Sequence, residues 1–309
     1  MSDSWVILNP IEQSIKRKIE AMGTPLKDWD IRINYGIKTG CNEAFIINEA
    51  QKAELIAEDP KSAEIIRPIL RGRDIKRYGY DWAHLYLIAT FPARHYDIEQ
   101  YPAVKKYLLS FDKERLLAAG YDDIANNSKL LREYCQQRLE QSGKDVIVGG
   151  RKVVIDGKAQ KSRKKTGNKW FETQDQIGYW EDFNNQKIVY REISDVMDAC
   201  IVDSRFVINN KCYMITGDHI TYLISLLNSK LFTKIILPTA NITGGKGGDF
   251  IQKITSPIPS NDVESILESL LKRREKANSQ QVAFIDAEVD SLICKLFGLS
   301  KVECSYIMN

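Results

Sequence analysis

The chain has 309 residues, of which 43% are hydrophobic and 28% charged, with a net charge of +3. This is ordinary globular composition, able to bury a real core, and so slight an overall charge does not by itself announce a nucleic-acid partner. No stretch reaches the roughly 18–20 apolar residues of a membrane span, and MSDSWVILNP has no basic segment followed by an apolar run, so the sequence reads as a cytoplasmic protein with no membrane partner. The six cysteines, Cys41, Cys135, Cys200, Cys212, Cys294 and Cys304, include no CxxC pair, and His84, His95 and His219 are scattered. Reduced, mostly buried thiols and no metal site are therefore expected. There is no fixed-period repeat.

In chain order, Asn9-Pro10 gives an N-cap followed by proline at the first helical position, and Glu12 can complete a capping box. Ile11, Ile15 and Ile19 then make one apolar stripe that Gly23 and Pro25 end, which predicts a linker helix within residues 1–30. Ile31, Ile33 and Tyr35 alternate with polar residues and predict a strand. Gly36 to Asn42 predict a tight connection, and Ala44 to Ile47 a second strand. Residues 60–78 predict a short helical or irregular piece followed by a turn, and HLYLIATF (84–91) a buried strand. Residues 99–118 and 123–142 look helical.

Residues 144–169 differ in kind. Lys144, Arg151, Lys152, Lys158, Lys161, Arg163, Lys164, Lys165 and Lys169 face only Asp145 and Asp156, a local net charge of +7, so the rest of the chain is net −4. Turns near Gly149-Gly150 and Asp156-Gly157 predict a hairpin, followed by a basic loop. That many cations together call for counter-charge, and duplex DNA supplies it while releasing counterions. The alternative is a solvated surface loop. Trp170, Phe171, Tyr179 and Trp180 follow and could stack on bases, with core packing the favoured reading.

Beyond these, QKIVYREIS and the segment around CIVDSRFVINNKCYMIT predict strands, and HITYLISLLNSKLFTKII predicts one helix. Gly244, Gly245, Gly247 and Gly248 surround Lys246, where backbone could approach a phosphate closely or simply form a flexible loop. Two amphipathic helices close the chain. Ile266, Leu267, Leu270 and Leu271 line one and Ile285, Val289, Leu292 and Leu296 the other, with Gly298 as C-cap. They read either as an arm over 259–309 or as a cap on the same core.

Catalytic machinery is not evident. Asp59-Pro60-Lys61, Asp74-Ile75-Lys76 and Asp156-Gly157-Lys158 have the acid-x-Lys spacing of Mg-dependent nucleases, but with 41 acids such matches arise by chance. There is no P-loop, no nucleophile elbow and no glycine turn with an Asn/Asp-Pro-Pro-aromatic segment of the kind amino-methyltransferases use.

Several blocks, in order, resemble one family. INYGIKTGCNEAFII and IIRPILRGRDIKRYG are similar to the opening signatures of the TaqI-like specificity domain, which occurs in type IIG restriction–methylation enzymes and related phage-defence methyltransferases. KWFETQ with QKIVYREIS, YLISLLNSKL, TSPIP and FIDAEVDSLICKLFGLSKVE resemble its later blocks. The resemblance implies an α+β (mixed α/β) target-recognition domain over 31–258, with a mixed sheet and a C-terminal helical pair. It implies a module that selects duplex DNA sequence for an adenine methyltransferase or restriction nuclease domain, in the same polypeptide or a partner subunit. The matched positions are Gly36, Thr39 and Gly40 in the first turn and Gly72, Arg73 and Asp74 in the second. Thr39 and Gly40 could shape the turn, and Asp74 could pair with Arg73. With no methyltransferase motifs, the chain is expected to be a fragment or a separate subunit and to be non-catalytic. It would hold no cofactor itself, with S-adenosylmethionine and Mg²⁺ in the partner domains. The candidate DNA-binding residues are Arg151, Lys152, Lys158, Lys161, Arg163, Lys164, Lys165, Lys169, Arg73, Thr39 and Lys246, with Arg151, Arg163 and Arg73 as candidate guanine readers. The competing readings are a protein-interaction subunit and an independent Mg-dependent nuclease.

Overall fold

A computed structural model describes residues 8–111, 146–149, 152–155, 158–160, 167–192, 196–239 and 248–309. The elements in chain order begin with α1 (Pro10–Met22), β1 (Thr24–Pro25), β2 (Ile31–Tyr35), α2 (Asn42–Phe45), β3 (Ile46–Asn48), α3 (Glu49–Glu58), β4 (Ile66–Leu70), β5 (Ile75–Lys76), β6 (Gly79–Tyr80), β7 (Leu85–Ile88) and α4 (Pro102–Leu109). They continue with β8 (Val146–Gly149), β9 (Lys152–Ile155), β10 (Lys158–Gln160), β11 (Lys187–Arg191), β12 (Ala199–Val202), β13 (Val207–Ile208), β14 (Cys212–Gly217) and α5 (Ile220–Leu227). The last are α6 (Gly248–Lys253), β15 (Thr255–Ser256), α7 (Asn261–Glu275), α8 (Ser279–Leu296) and α9 (Lys301–Met308). The architecture is mixed α/β, as the sequence reading expected. No single described helix is long and apolar enough to cross a membrane.

The chain folds into two compact units, and neither is a continuous segment. The first comprises residues 1–36, 70–83 and 179–309. Its main sheet runs β12-β11-β14-β2, each neighbour antiparallel. β11 lies centrally, and Lys187 to Tyr190 are all buried rather than alternating, because both faces are covered. Lys187 is fully buried, and its ammonium donates to the carbonyls of Phe183, Asn185 and Asp203 at 2.9, 3.1 and 2.9 Å. Helix α5 packs on this sheet. The core gathers Ile15 and Ile19 of α1, Ile188, Ile215, Leu267 of α7, and Val289 and Ile293 of α8. The segments read as a linker helix and an arm thus both contribute to this core, the helical-cap alternative. The second unit comprises residues 37–69 and 84–178. It contains the antiparallel order β4-β7-β3 and the separate meander β8-β9-β10.

Helix α1 begins as expected: Asn9 accepts from the backbone of Glu12, and Glu12 accepts from that of Asn9, both at 2.9 Å. Other expectations are corrected. Residues 42–45 form a helical turn before β3, so the strand expected from Ala44 starts only at Ile46. Residues 66–70, expected to be helical or irregular, form β4. Pro68 argues against a strand on paper but lies opposite Tyr86 in this one. The helix expected over 219–236 breaks after Leu227. The Asn228 side chain pairs with both backbone groups of Ala199, donating at 2.9 Å and accepting at 3.1 Å, and Ser229 Oγ accepts from Phe232 N to start the next, wider turn. A third C-terminal helix, α9, follows the expected pair. Gly298 at φ +62 ends α8, with Leu299 N donating to Cys294 O, and Ser300 and Glu303 make a capping box. The expected helix over 123–142, the end of that over 99–118, and Cys135 lie outside the described residues.

Glu303 ties α9 to α1. Burial raises its carboxyl pKa. Hydrogen bonds from Lys18 Nζ (2.6 Å), Ser300 N (2.6 Å) and Ser14 Oγ (2.8 Å) outweigh that and bring it down from 4.5 to about 2. A depressed carboxyl stabilises the fold fully above its unfolded value, and the contribution is lost as pH falls from about 4.5 towards 2. Glu303→Gln is expected to destabilise the chain by about 2 kcal/mol at neutral pH and to flatten stability through that acid window. Urea unfolding at stepped pH checks both.

Candidate nucleic-acid interface

In the first unit, the run Arg71-Gly-Arg-Asp-Ile-Lys-Arg77 divides its cations between inside and outside. Residues 72–74 form a single 3-10 turn. Asp74 is buried and accepts from Arg71, not from Arg73: once from the backbone N–H at 2.8 Å, and twice from the guanidinium, at 3.1 and 2.8 Å. Gly72 lies against Lys211, where an added Cβ would come within 3.2 Å of that residue's Cβ and carbonyl oxygen. Arg77 also turns inward. It donates to the Asn228 carbonyl at 3.0 and 3.2 Å, pairs with Asp286 and stacks on Tyr78. Arg73 is left at the apex, exposed and without an ion pair among the described residues. Lys211, beside it, is 59% exposed and reaches Glu192 only at 3.7 Å. Lys76 is exposed and lies 3.9 Å from Asp81.

The matched first turn has a different character. Gly36 ends β2 in the first unit, where its N–H donates to Cys212 O at 2.8 Å. Thr39 and Gly40 belong to the second unit. Thr39 is buried, and its hydroxyl donates to Asn42 Oδ1 at 2.6 Å, while Gly40 takes φ +79. Both therefore shape the turn. The carboxylate of Asp175 accepts from Lys38 N at 3.1 Å. Burial raises its pKa, and that hydrogen bond offsets only part of the rise. Gln174 N donates to the carbonyls of Lys38 and Thr39, both at 3.2 Å, so the KWFETQ block clamps this turn.

The basic stretch contains the expected hairpin, extended to three strands. Lys158 pairs with Ile155 and Lys152 with Gly149, which places the two lysines at positions of opposite parity in the meander. Lys169 is exposed, and its ammonium lies 5.5 Å from the Phe171 ring centre. Arg151, Lys161, Arg163, Lys164, Lys165 and Lys246 lie outside the described residues, as does the glycine loop before Gly248. Phe171 and Trp180 are buried, while Trp170 and Tyr179 are half-buried.

Two of the three acids flagged as nuclease candidates have structural partners, and Asp156 lies outside the described residues. Asp59 caps the turn at 60–65 through Lys61 N, and Asp74 is held by Arg71. Among the described residues no group of three or more His, Cys, Asp or Glu could hold a metal ion. Burial pushes the thiols of Cys200 and Cys294 up to about 12, so neither is a thiolate at neutral pH.

No curated protein matches the chain. Among solved structures, the type IIL restriction–modification enzyme MmeI in complex with DNA matches at TM-score 0.52 and 11% identity, over 94% of this chain and 37% of that one. The type IIG restriction endonuclease BpuSI matches at TM-score 0.42 and 12% identity, over 94% of this chain and 34% of that one. The chain thus spans little more than a third of the length of these enzymes. A family model matches residues 67–255, more than half of the chain, from the turn that carries Arg73 to the strand that follows the glycine loop. The chain belongs to the family of TaqI-like C-terminal specificity domains.

Proposed function

We propose that the chain is the DNA-recognition module of a restriction–modification or phage-defence system. It binds duplex DNA and directs an adenine methyltransferase, a nuclease or both, carried on a separate catalytic domain. S-adenosylmethionine and Mg²⁺ belong to that domain. The observation that carries this reading is Arg73: an exposed guanidinium, without an ion pair among the described residues, on a hydrogen-bonded turn inside the family match. Its planar fork suits the O6 and N7 acceptors of guanine in the major groove. The cations of 151–169 contact phosphates and set register without reading sequence. MmeI, whose fold the chain shares, was solved on DNA.

The two roles separate by experiment. Lys164→Ala with Lys165→Ala is expected to weaken binding to all duplexes alike and to reduce the slope of log affinity against log salt by about two. Arg73→Ala is expected to cost about 1–3 kcal/mol on the preferred sequence only, and to relax one base position. Fluorescence anisotropy on labelled duplexes across a salt series reads both. Binding that is unchanged by either variant would favour a protein-interaction subunit instead.

A further inference from the structure

We propose that Asp74 and Arg71 form a positioning pair for sequence readout, holding Arg73 in register with one base. The inference rests on the DNA-recognition reading and extends it to two residues that do not touch DNA.

Both neighbours of Arg73 are held in place, while Arg73 itself is exposed and has no ion pair among the described residues. On one side, Gly72 packs closely on Lys211, where an added Cβ would already make tight contacts at 3.2 Å. On the other, Asp74 is 3% exposed and receives three hydrogen bonds from Arg71, and its backbone closes the turn by donating to Arg71 O at 2.9 Å. The Asp74 carbonyl also accepts from Asp81 N at 2.8 Å, which ties the turn to the segment beyond the β5-β6 hairpin.

A buried carboxylate–guanidinium pair is a poor device for stability, because desolvation offsets most of the attraction. What it supplies here is geometry. A bidentate arginine–carboxylate pair admits one arrangement of the backbone between its partners, and that backbone includes Arg73. Two parallel hydrogen bonds to a guanine edge need the fork held within about 0.5 Å, which a loose turn cannot do. Arg71 turns its Nε and Nη2 inward to Asp74, and Arg73 carries the guanidinium that faces outward. The second-signature run therefore holds one reading arginine and one positioning arginine, and they are not interchangeable.

The test carries the full chain, wild type and as Arg73→Ala, Asp74→Asn and Arg71→Ala, through binding selection from a randomised duplex pool. Thermal unfolding and affinity for one fixed non-cognate duplex are measured beside it. Asp74→Asn keeps the shape but aims an amide N–H₂ at the guanidinium. Arg71→Ala leaves the carboxylate its backbone hydrogen bond and serves if the first variant folds poorly. The expected result is that both positioning variants lose about tenfold or more of the base discrimination at the position that Arg73→Ala relaxes. All other positions and the non-cognate affinity stay as in the wild type. A wild-type selection profile in both positioning variants, with that position lost in Arg73→Ala, would overturn the positioning role and leave the DNA-recognition reading standing. Uniform loss at every position in step with a lowered unfolding temperature would also overturn it, since that is what a merely structural pair predicts. A wild-type chain that enriches no sequence would remove the recognition reading and this inference with it.

Discussion

Gly36→Ala is expected to destabilise the first unit by about 3 kcal/mol or more. The methyl carbon would lie 2.0 Å from the carbonyl oxygen of Asn209, 2.5 Å from its carbon and 2.8 Å from the oxygen of Ile208. All three are backbone atoms, so no side-chain rotation relieves the overlap. Moving Gly36 away stretches its hydrogen bond to Cys212 O, next to the register of β2 against β14. The matched control is Gly79→Ala, where the added carbon meets nothing within 4 Å, and where a change within about 0.5 kcal/mol is expected. Urea unfolding of the two variants side by side checks the contrast. Equal stabilities would mean that β2 does not approach the 208–209 backbone as described.

Asp286→Ala is expected to cost about 2–3 kcal/mol. The carboxylate of Asp286, on α8, lies between two guanidinium groups, Arg77 from the second signature and Arg274 on α7, the latter at 2.7 Å. Burial raises its pKa, but hydrogen bonds from Arg274 and Arg77 outweigh that and hold it below the usual carboxylate range. Both guanidinium carbons also lie over the Tyr78 ring, at 4.4 and 4.8 Å. Removing the acid leaves two like charges close to one tyrosine ring without the carboxylate that pairs them. The loss falls short of the roughly 3–5 kcal/mol for breaking a fully buried pair, because Arg77 is 34% exposed and water screens part of the repulsion. Asp203→Ala, which removes a surface pair with Arg205 that is 44% and 74% exposed, should cost less than about 1 kcal/mol. Calorimetry that ranks the two variants the other way would contradict this account of the hub.

Much of this was legible in the sequence, because the signals were local. Asn9-Pro10-x-Glu12 and the isoleucine spacing placed α1. Alternation placed β2, an apolar run placed β7, and the turn dipeptides placed a hairpin where the three strands β8, β9 and β10 lie. Elements whose form is decided by distant partners were misread. Asn228 breaks a helix because its amide fits the backbone of Ala199, twenty-nine residues earlier in the chain. Pro68 is tolerated in β4 by its place opposite Tyr86. The third C-terminal helix had a readable cue, the Ser300-x-x-Glu303 capping box after Gly298, which was absorbed into the helix before it. At the candidate interface, composition marked the cations but could not sort them. Arg71, Arg73 and Arg77 look alike in the sequence, yet two are spent on Asp74 and Asp286, and only Arg73 faces outward. Adjacency offers Arg73 as a partner for Asp74, whereas a carboxylate at the third position of a 3-10 turn faces back to the residue before it, Arg71. The division into two units was hidden for a related reason: residues 1–36, 70–83 and 179–309 come together through distant contacts, such as β2 on β14 and the Tyr78 N–H on the Ala199 carbonyl, that no local pattern announces.

The most direct test of the central claim is to mix the wild-type chain with a randomised duplex pool in the presence of Mg²⁺ and sequence the retained and cleaved fractions. Enrichment of one short motif in the retained fraction, with no cleavage, is the predicted result, and it names the target sequence. Retention without any motif, or Mg²⁺-dependent cutting by this chain alone, would contradict the proposal of a specificity module whose catalysis lies on a separate domain.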